Sequence, residues 1–252
     1  MPLARSHIGD LSTPALVLPP PFTPVRLREM GDAFAHAKAI AAESGAGTLV
    51  HVGRFDLAEF ALVLEPEEKV AQARRALYAG MIALADALIS AAEPETAITI
   101  SWPDAIRVNL GLVGGGRLAW PSDVGEDEVP PWLVFGATIR VQSMSGQEPG
   151  VNPQVTALTE EGFTGVVADQ IVASFARHFM VAIDAWQESG FAALARDYLP
   201  RLDRDKGLRR HLDDNGDLLV RRMGSDALER CSLAAALATP SWLDPATGEP
   251  RA

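Results

Sequence analysis

Lysine is almost missing from this chain: Lys38, Lys69 and Lys206 stand against 19 arginines in 252 residues. Acids number 33 and the formal net charge is −11. So low a basic density excludes a polyanionic partner such as nucleic acid, whose binding depends on neutralising phosphates. A single cysteine, Cys231, leaves neither an intramolecular disulfide nor a pair of thiolates for a metal. His7, His36, His51, His178 and His211 lack the close pairing that zinc helices use, and no metal site is expected. With no apolar run of about 18 residues and no signal-peptide pattern, the chain reads as cytoplasmic and without a membrane span. It also has no Gly-x-x-x-x-Gly-Lys-Ser/Thr loop for nucleotide phosphates and no Gly-x-Ser-x-Gly elbow for a serine nucleophile.

What is present suits a folded protein with a full core, since 48% of residues are hydrophobic and 22% charged. Near the start, Pro14, Pro19, Pro20, Pro21 and Pro24 forbid a helix, so residues 1–24 read as an extended arm or strand. From Leu27 the steps Met30, Phe34, Ala37 and Ile40 predict an amphipathic helix that stops at Ser44-Gly45. Residues 48–52 and 58–64 are β-prone runs around Gly53-Arg54-Phe55-Asp56. Pro66-Glu67-Glu68 suits the first turn of a helix with Val70, Leu77, Met81, Leu84 and Leu88 buried. A β-rich section follows over residues 97–141, interrupted by a polar loop at 122–131. A third long helix is predicted from Val166, with Val167, Ile171, Phe175, Phe179 and Trp186 on one face and a stop at Gly190. A short helix is predicted near residues 191–199. Beyond Pro200 the chain turns polar, and Asn215-Gly216 between β-prone flanks predicts a type I′ hairpin. The fold class is α+β: a core over residues 1–200, in which a mixed sheet packs with helices, and a small β-rich domain over 201–252.

The chemistry-bearing stretch lies within residues 98–141: Ser101-Trp102-Pro103-Asp104-Ala105 after a strand, Gly114-Gly115-Gly116-Arg117 in a glycine-rich hairpin, and Gly136-Ala137-Thr138-Ile139-Arg140 in a closing strand. In this order of elements the chain resembles the biotin and lipoate protein ligases, especially a bacterial subgroup described only as ligase-like. The resemblance implies ATP-dependent activation of a carboxylic acid, with Mg, and transfer of the acyl group to a lysine of a carrier domain; biotin, lipoate or a fatty acid is the expected acid. Such chemistry rests on positioning and on charge stabilisation of a phosphoryl-centred transition state.

Carried over residue by residue, the resemblance places ligand binding at Arg54, Trp102, Pro103, Asp104, Gly114, Gly115, Gly116, Arg117 and Arg140, with no catalytic residue assigned. It also marks departures. The Arg/Gly loop that wraps the adenylate in these ligases is reduced to Gly53-Arg54, and two of their lysine positions hold Ser101 and Leu112. Arg117 is the nearest cation to the second, and a guanidinium is not equivalent to an ammonium at a tight site. Ligase turnover is therefore expected to be weak or absent, and a noncatalytic binder of a carboxylic acid or adenylate is the alternative. Trp102, Asp104, Gly114 to Arg117 and Arg54 are expected to converge on one concave pocket. Each also has a plain structural reading: Trp102-Pro103 as a strand cap that fills the core, the glycines as a tight turn, bulge or close crossing, and Arg54 and Arg140 as surface or ion-pair residues.

Overall fold

A computed structural model describes residues 16–144 and 154–251. Ten strands and six α-helices are formed among them: β1 (Thr23–Leu27), α1 (Ala33–Ser44), β2 (Thr48–Val52), β3 (Leu57–Leu64), α2 (Val70–Ala73), α3 (Ala76–Ile89), β4 (Ile98–Ser101), β5 (Ala105–Val108), β6 (Gly111–Ala119), β7 (Leu133–Arg140), α4 (Ala168–Ser189), α5 (Phe191–Tyr198), β8 (Leu208–Leu212), β9 (Leu218–Arg222), β10 (Leu228–Cys231) and α6 (Leu233–Leu237). Strands β1 to β7 make one mixed sheet in the order β1-β2-β3-β7-β6-β5-β4, and β10-β9-β8 make a second, antiparallel one. Only β1–β2 is parallel in the larger sheet. None of the described helices is long and apolar enough to cross a membrane.

Alternation along the strands gives the sheet two faces. Ala58, Phe60 and Leu62 of β3 and Phe135, Ala137 and Ile139 of β7 pack with α3 and α4 in the main core. Phe175 stacks there on Phe135, with centroids 5.5 Å apart, and tilts against Phe60 at 4.5 Å. The intervening Ala61, Val63 and Val134 meet Ala33, Ala37 and Ala41 of α1 in a smaller cluster. Close approach is required on both sides. A Cβ at Gly80 would lie 2.2 Å from the Phe135 ring, and one at Gly136 would lie 2.4 Å from Phe34. The second sheet attaches to the main core through Leu212 and Leu218.

Several expectations from sequence need correction. The first helix begins at Ala33, because β1 continues to Leu27 and the Asp32 carboxylate caps the Ala35 N–H at 2.8 Å. Met30 lies outside that helix and is 97% exposed. The helix expected from Pro66 starts at Val70 and breaks at Arg74-Arg75 into α2 and α3. Val167 is exposed, since it precedes the first turn of α4 and lies off the buried stripe. The extended arm lies outside the described residues up to position 15, and its end becomes β1.

The three glycines are not a hairpin turn. They lie inside β6, and the turn is at Asn109-Leu110, with φ of 47° and 75°. Gly114 instead supplies a bulge: the β5–β6 register shifts between Ile106 and Arg107, and at its φ of 149° a Cβ would lie 1.9 Å from the Thr138 carbonyl. The β8–β9 connection spans residues 213–217. Of its residues only Gly216 has positive φ, so the expected type I′ pair at Asn215-Gly216 does not form. The Asp213 carboxylate organises this loop by accepting from the Asn215 and Asp217 N–H groups.

Candidate functional site

The α1 side of the sheet carries charge where the opposite side carries rings. Glu59 on β3, Arg117 on β6 and Arg140 on β7 alternate with core residues and so project toward α1 and the end of the chain. The Glu59 Oε1 accepts from the Ala33 N–H at 2.9 Å, which ties the N-terminus of α1 to the sheet, and burial raises the pKa of its carboxyl. The Arg117 guanidinium lies 4.1 Å from the Phe34 ring centroid and 3.8 Å from the Asp32 carboxylate. Burial depresses its pKa, against the pull of Asp32 and Glu59. Arg54 forms a fork on Asp56, at 2.8 and 2.6 Å, and reaches Glu249 at 3.1 Å. These hydrogen bonds hold the pKa of Arg54 above the ordinary arginine value and that of Asp56 below the ordinary carboxylate value.

A hairpin from the end of the chain covers the rest of this face. Trp242 is fully buried on Ala105 and Leu112, and its Nε1 donates to the Gly116 carbonyl at 2.8 Å. A Cβ at Gly115 would meet the indole at 2.4 Å, so the missing side chain makes room for the ring. Ser241 donates to the Asp104 carboxylate from Oγ at 2.7 Å and from its N–H at 3.2 Å. Asp104 is itself completely buried, and burial pushes its pKa up to about 6 although the Ser241 hydrogen bonds pull it down. Arg140 donates to the carbonyls of Pro250, at 2.7 Å, and Arg251, at 3.2 Å. The cleft left beside the hairpin is about 370 Å³, within the size range of small-molecule sites. Five carboxylates line it (Glu29, Asp32, Asp56, Glu59 and Glu249) against one guanidinium, Arg54. Two larger depressions, of about 1000 Å³ beside Arg107 and Arg204 and about 780 Å³ beside Trp186 and Phe191, contain none of the residues selected from sequence.

Trp102, Asp104, Gly114 to Arg117 and Arg54 therefore do not converge on the single open pocket expected. Asp104, Gly115, Gly116, Arg54 and Arg140 meet at the C-terminal hairpin, and Arg117 lies on the same face beside Phe34. Gly114 shapes the strand through its bulge. Trp102 and Pro103 are on the other side of the sheet, where the Trp102 Nε1 donates to the Tyr78 hydroxyl at 3.0 Å and the Pro103 carbonyl accepts from Tyr198 at 2.8 Å. The Tyr78 hydroxyl in turn donates to Gly216, so this pair ties the β4–β5 turn to α3, α5 and the second sheet. The turn projects Trp102 toward the main core while Asp104 points back under the hairpin, which separates residues adjacent in sequence.

Sequence reasoning missed Asp32, Glu59, Ser241, Trp242 and Glu249. Two of them had visible signals: an acid in the middle of the otherwise apolar Leu57–Leu64, and one large aromatic in a polar tail. The positions where the resemblance expects lysine are occupied differently. Leu112 lies under Trp242, and the Ser101 hydroxyl is held by Asp203 and Arg107. This set does not fit ATP with Mg. No strand of the larger sheet contains a lysine, and the cleft sets five carboxylates against one guanidinium, so the triphosphate's charge is not matched there.

Similarity to known proteins covers most of the chain. The chain resembles the crystal structure of a biotin protein ligase-like protein of unknown function from Silicibacter sp. TM1040, with a TM-score of 0.76 and 27% identity over 88% of this chain and 99% of that one. It also resembles the apo biotin protein ligase of Aquifex aeolicus, with a TM-score of 0.66 and 13% identity over 83% and 95% of the two chains. The same Aquifex enzyme in complex with biotin and ATP gives a TM-score of 0.61 and 13% identity over 82% and 98%. No curated protein shows significant sequence similarity to the chain. The stretch from residue 18 to residue 200, which carries the larger sheet and α1 to α5, matches the biotin/lipoate A/B protein ligase family, and the chain belongs to that family.

Proposed function

We propose that this protein is a noncatalytic member of its family, a small-molecule binder that uses the α1 side of the sheet and does not activate its ligand. The observation that carries this reading is Leu112 packed beneath the buried Trp242, where the resemblance to the ligases expects a lysine for the acyl carbonyl and phosphate. The remaining cations of the face are engaged: Arg54 by Asp56 and Glu249, Arg117 beside Asp32, and Arg140 by main-chain carbonyls. An acyl-adenylate needs preorganised positive charge at its phosphate, and loss of one such donor typically slows a reaction by about 10²–10³-fold. In the absence of two lysines and the Arg/Gly loop, the remaining groups bind and orient a ligand but leave the charge of an adenylate unmatched.

A second reading is ATP-dependent activation of biotin, lipoate or a fatty acid and its transfer to a carrier-domain lysine. Arg117 favours it, because it is the cation nearest Leu112 in sequence and its guanidinium lies on the α1 side of the sheet. The test is ATP–pyrophosphate exchange with biotin, lipoate and octanoate. The binder reading expects exchange at background for all three acids. Acid-dependent exchange that disappears in Arg117→Ala would establish the second reading instead.

A further inference from the structure

We infer that the hairpin of residues 241–251 is a displaceable strap, an internal occupant of the ligand face that opens as a unit to admit an apolar ring bearing an N–H donor. This inference rests on the reading of that face as a ligand site. Three features of the geometry carry it.

First, the strap is closed on itself. The Arg251 N–H donates to the Trp242 carbonyl, the Asp244 N–H to the Glu249 carbonyl and the Gly248 N–H to the Asp244 carbonyl, each at 2.8 Å, while Leu243 and Pro250 form a β-bridge. It can therefore move without losing its own bonds. Second, its attachments to the sheet are side-chain bonds rather than a ladder: the Trp242 indole to Gly116, Ser241 to Asp104, Arg140 to two strap carbonyls, and Arg54 to Glu249. Each has its sheet-side partner on a strand or turn that is held independently by the larger sheet. Third, the ring's berth is separate from the main core. Trp242, Ala105 and Leu112 form their own cluster, so emptying it uncovers no part of the α3–α4 packing. Segments with few core contacts open locally at a lower free energy than the whole fold.

The berth specifies its occupant. Ala105 and Leu112 offer an apolar floor, Gly115 leaves the width of a ring, and the Gly116 carbonyl requires a donor at the ring edge. A buried acceptor left without a donor is costly, so a ring of the same shape without an N–H is a poor substitute. An opened strap also uncovers Asp104 and Arg140, which would then be free to meet polar groups on the incoming molecule.

The test uses the full chain. Native-state hydrogen exchange of the unmodified protein should show the Ser241 amide, which bonds the strap to the Asp104 carboxylate, exchanging at least about 100-fold faster than the Leu62 and Val63 amides of β3, through an opening that leaves the core protected. Exchange of both sets only together, by global unfolding, overturns the proposal. In Trp242→Ala, indole should bind saturably and raise the melting temperature, with at least tenfold weaker binding to the unmodified chain, where Trp242 competes. Benzothiophene, of the same shape without the N–H, should bind Trp242→Ala at least tenfold more weakly than indole. A folded Trp242→Ala that does not bind indole also overturns the proposal, and if that variant fails to fold the exchange measurement decides alone. Neither readout involves ATP, so acid-dependent pyrophosphate exchange would refute the noncatalytic reading without touching the strap.

Discussion

Phe60, Phe135 and Phe175 meet on the face of the larger sheet covered by α3 and α4, whereas Glu59 and Arg140, on those same strands, lie with Arg117 on the face covered by α1 and the C-terminal hairpin. The difference shows how one set of strands holds both an apolar core and a charged face. Side chains alternate every residue, so the apolar positions of β3 and β7 are free to hold the fold while their neighbours carry charge. On the first face stability comes from apolar area and close packing. On the second, buried charge is tolerated because each group has a partner: Glu59 the Ala33 N–H, Arg140 the strap carbonyls, and Asp104 the hydroxyl and N–H of Ser241.

The contrast is sharpest at Phe175, which touches three other rings. Phe175→Ala should cost about 3–5 kcal/mol of stability, the usual range for a large ring removed from a packed core. Chemical denaturation reads this directly, and a loss below about 1 kcal/mol would mean that this face is not the main source of stability.

Asp104 should produce a smaller, pH-dependent effect. Burial raises its pKa from 3.8 to about 6, so the folded chain holds this proton more tightly than the unfolded chain. Its contribution is therefore most favourable below about pH 4, declines as pH rises toward about 6, and is level above that. The gap between the two values corresponds to about 3 kcal/mol at most. Asp104→Asn keeps an acceptor for Ser241 and removes the titration, so denaturation midpoints at pH 4.5 and pH 7 should lie closer together than in the unmodified chain. An unchanged pH dependence would assign the effect to another carboxylate.

The smallest effect is expected at Glu249, which is half exposed where it meets Arg54. Glu249→Gln should change global stability by less than about 1 kcal/mol, as for other solvent-screened ion pairs. It should still speed hydrogen exchange at the Ser241 amide by severalfold. A loss of global stability as large as that of Phe175→Ala would show that the strap is part of the core.

Much of the larger sheet was legible in sequence, because the evidence for it is local. Thr48–Val52, Leu57–Leu64 and the β-rich run around Trp102 carry β-prone side chains between turn residues, and Ile171, Phe175 and Phe179 recur at helical spacing. The start of α1 was read early because Met30 and Phe34 fit the same helical period, while the parallel pairing of β1 with β2 is a contact between distant segments. Glycine was the least legible residue. Three in a row suit a turn, yet here they allow a bulge at Gly114, an indole at Gly115 and Met81 at Gly116, and each neighbour comes from another part of the chain. The site was half legible for the same reason: Asp104, Arg54 and Arg140 were found as residue types, and their partners Ser241, Glu249 and Pro250 are 110 to 195 positions away.

The sequence by itself determined the two-faced strands, the amphipathic helices, the acidic balance and the lack of lysine along the sheet, since composition and short-range periodicity carry all of these. Only the tertiary structure decided that Trp102 and Asp104 lie on opposite sides of the larger sheet, that Leu112 lies under an indole, and that residues 241–251 return to cover the α1 side. Those outcomes depend on which distant segment supplies the missing partner for a buried ring, carbonyl or charge. A buried polar group requires a partner, but the local sequence around it does not say where in the chain that partner lies.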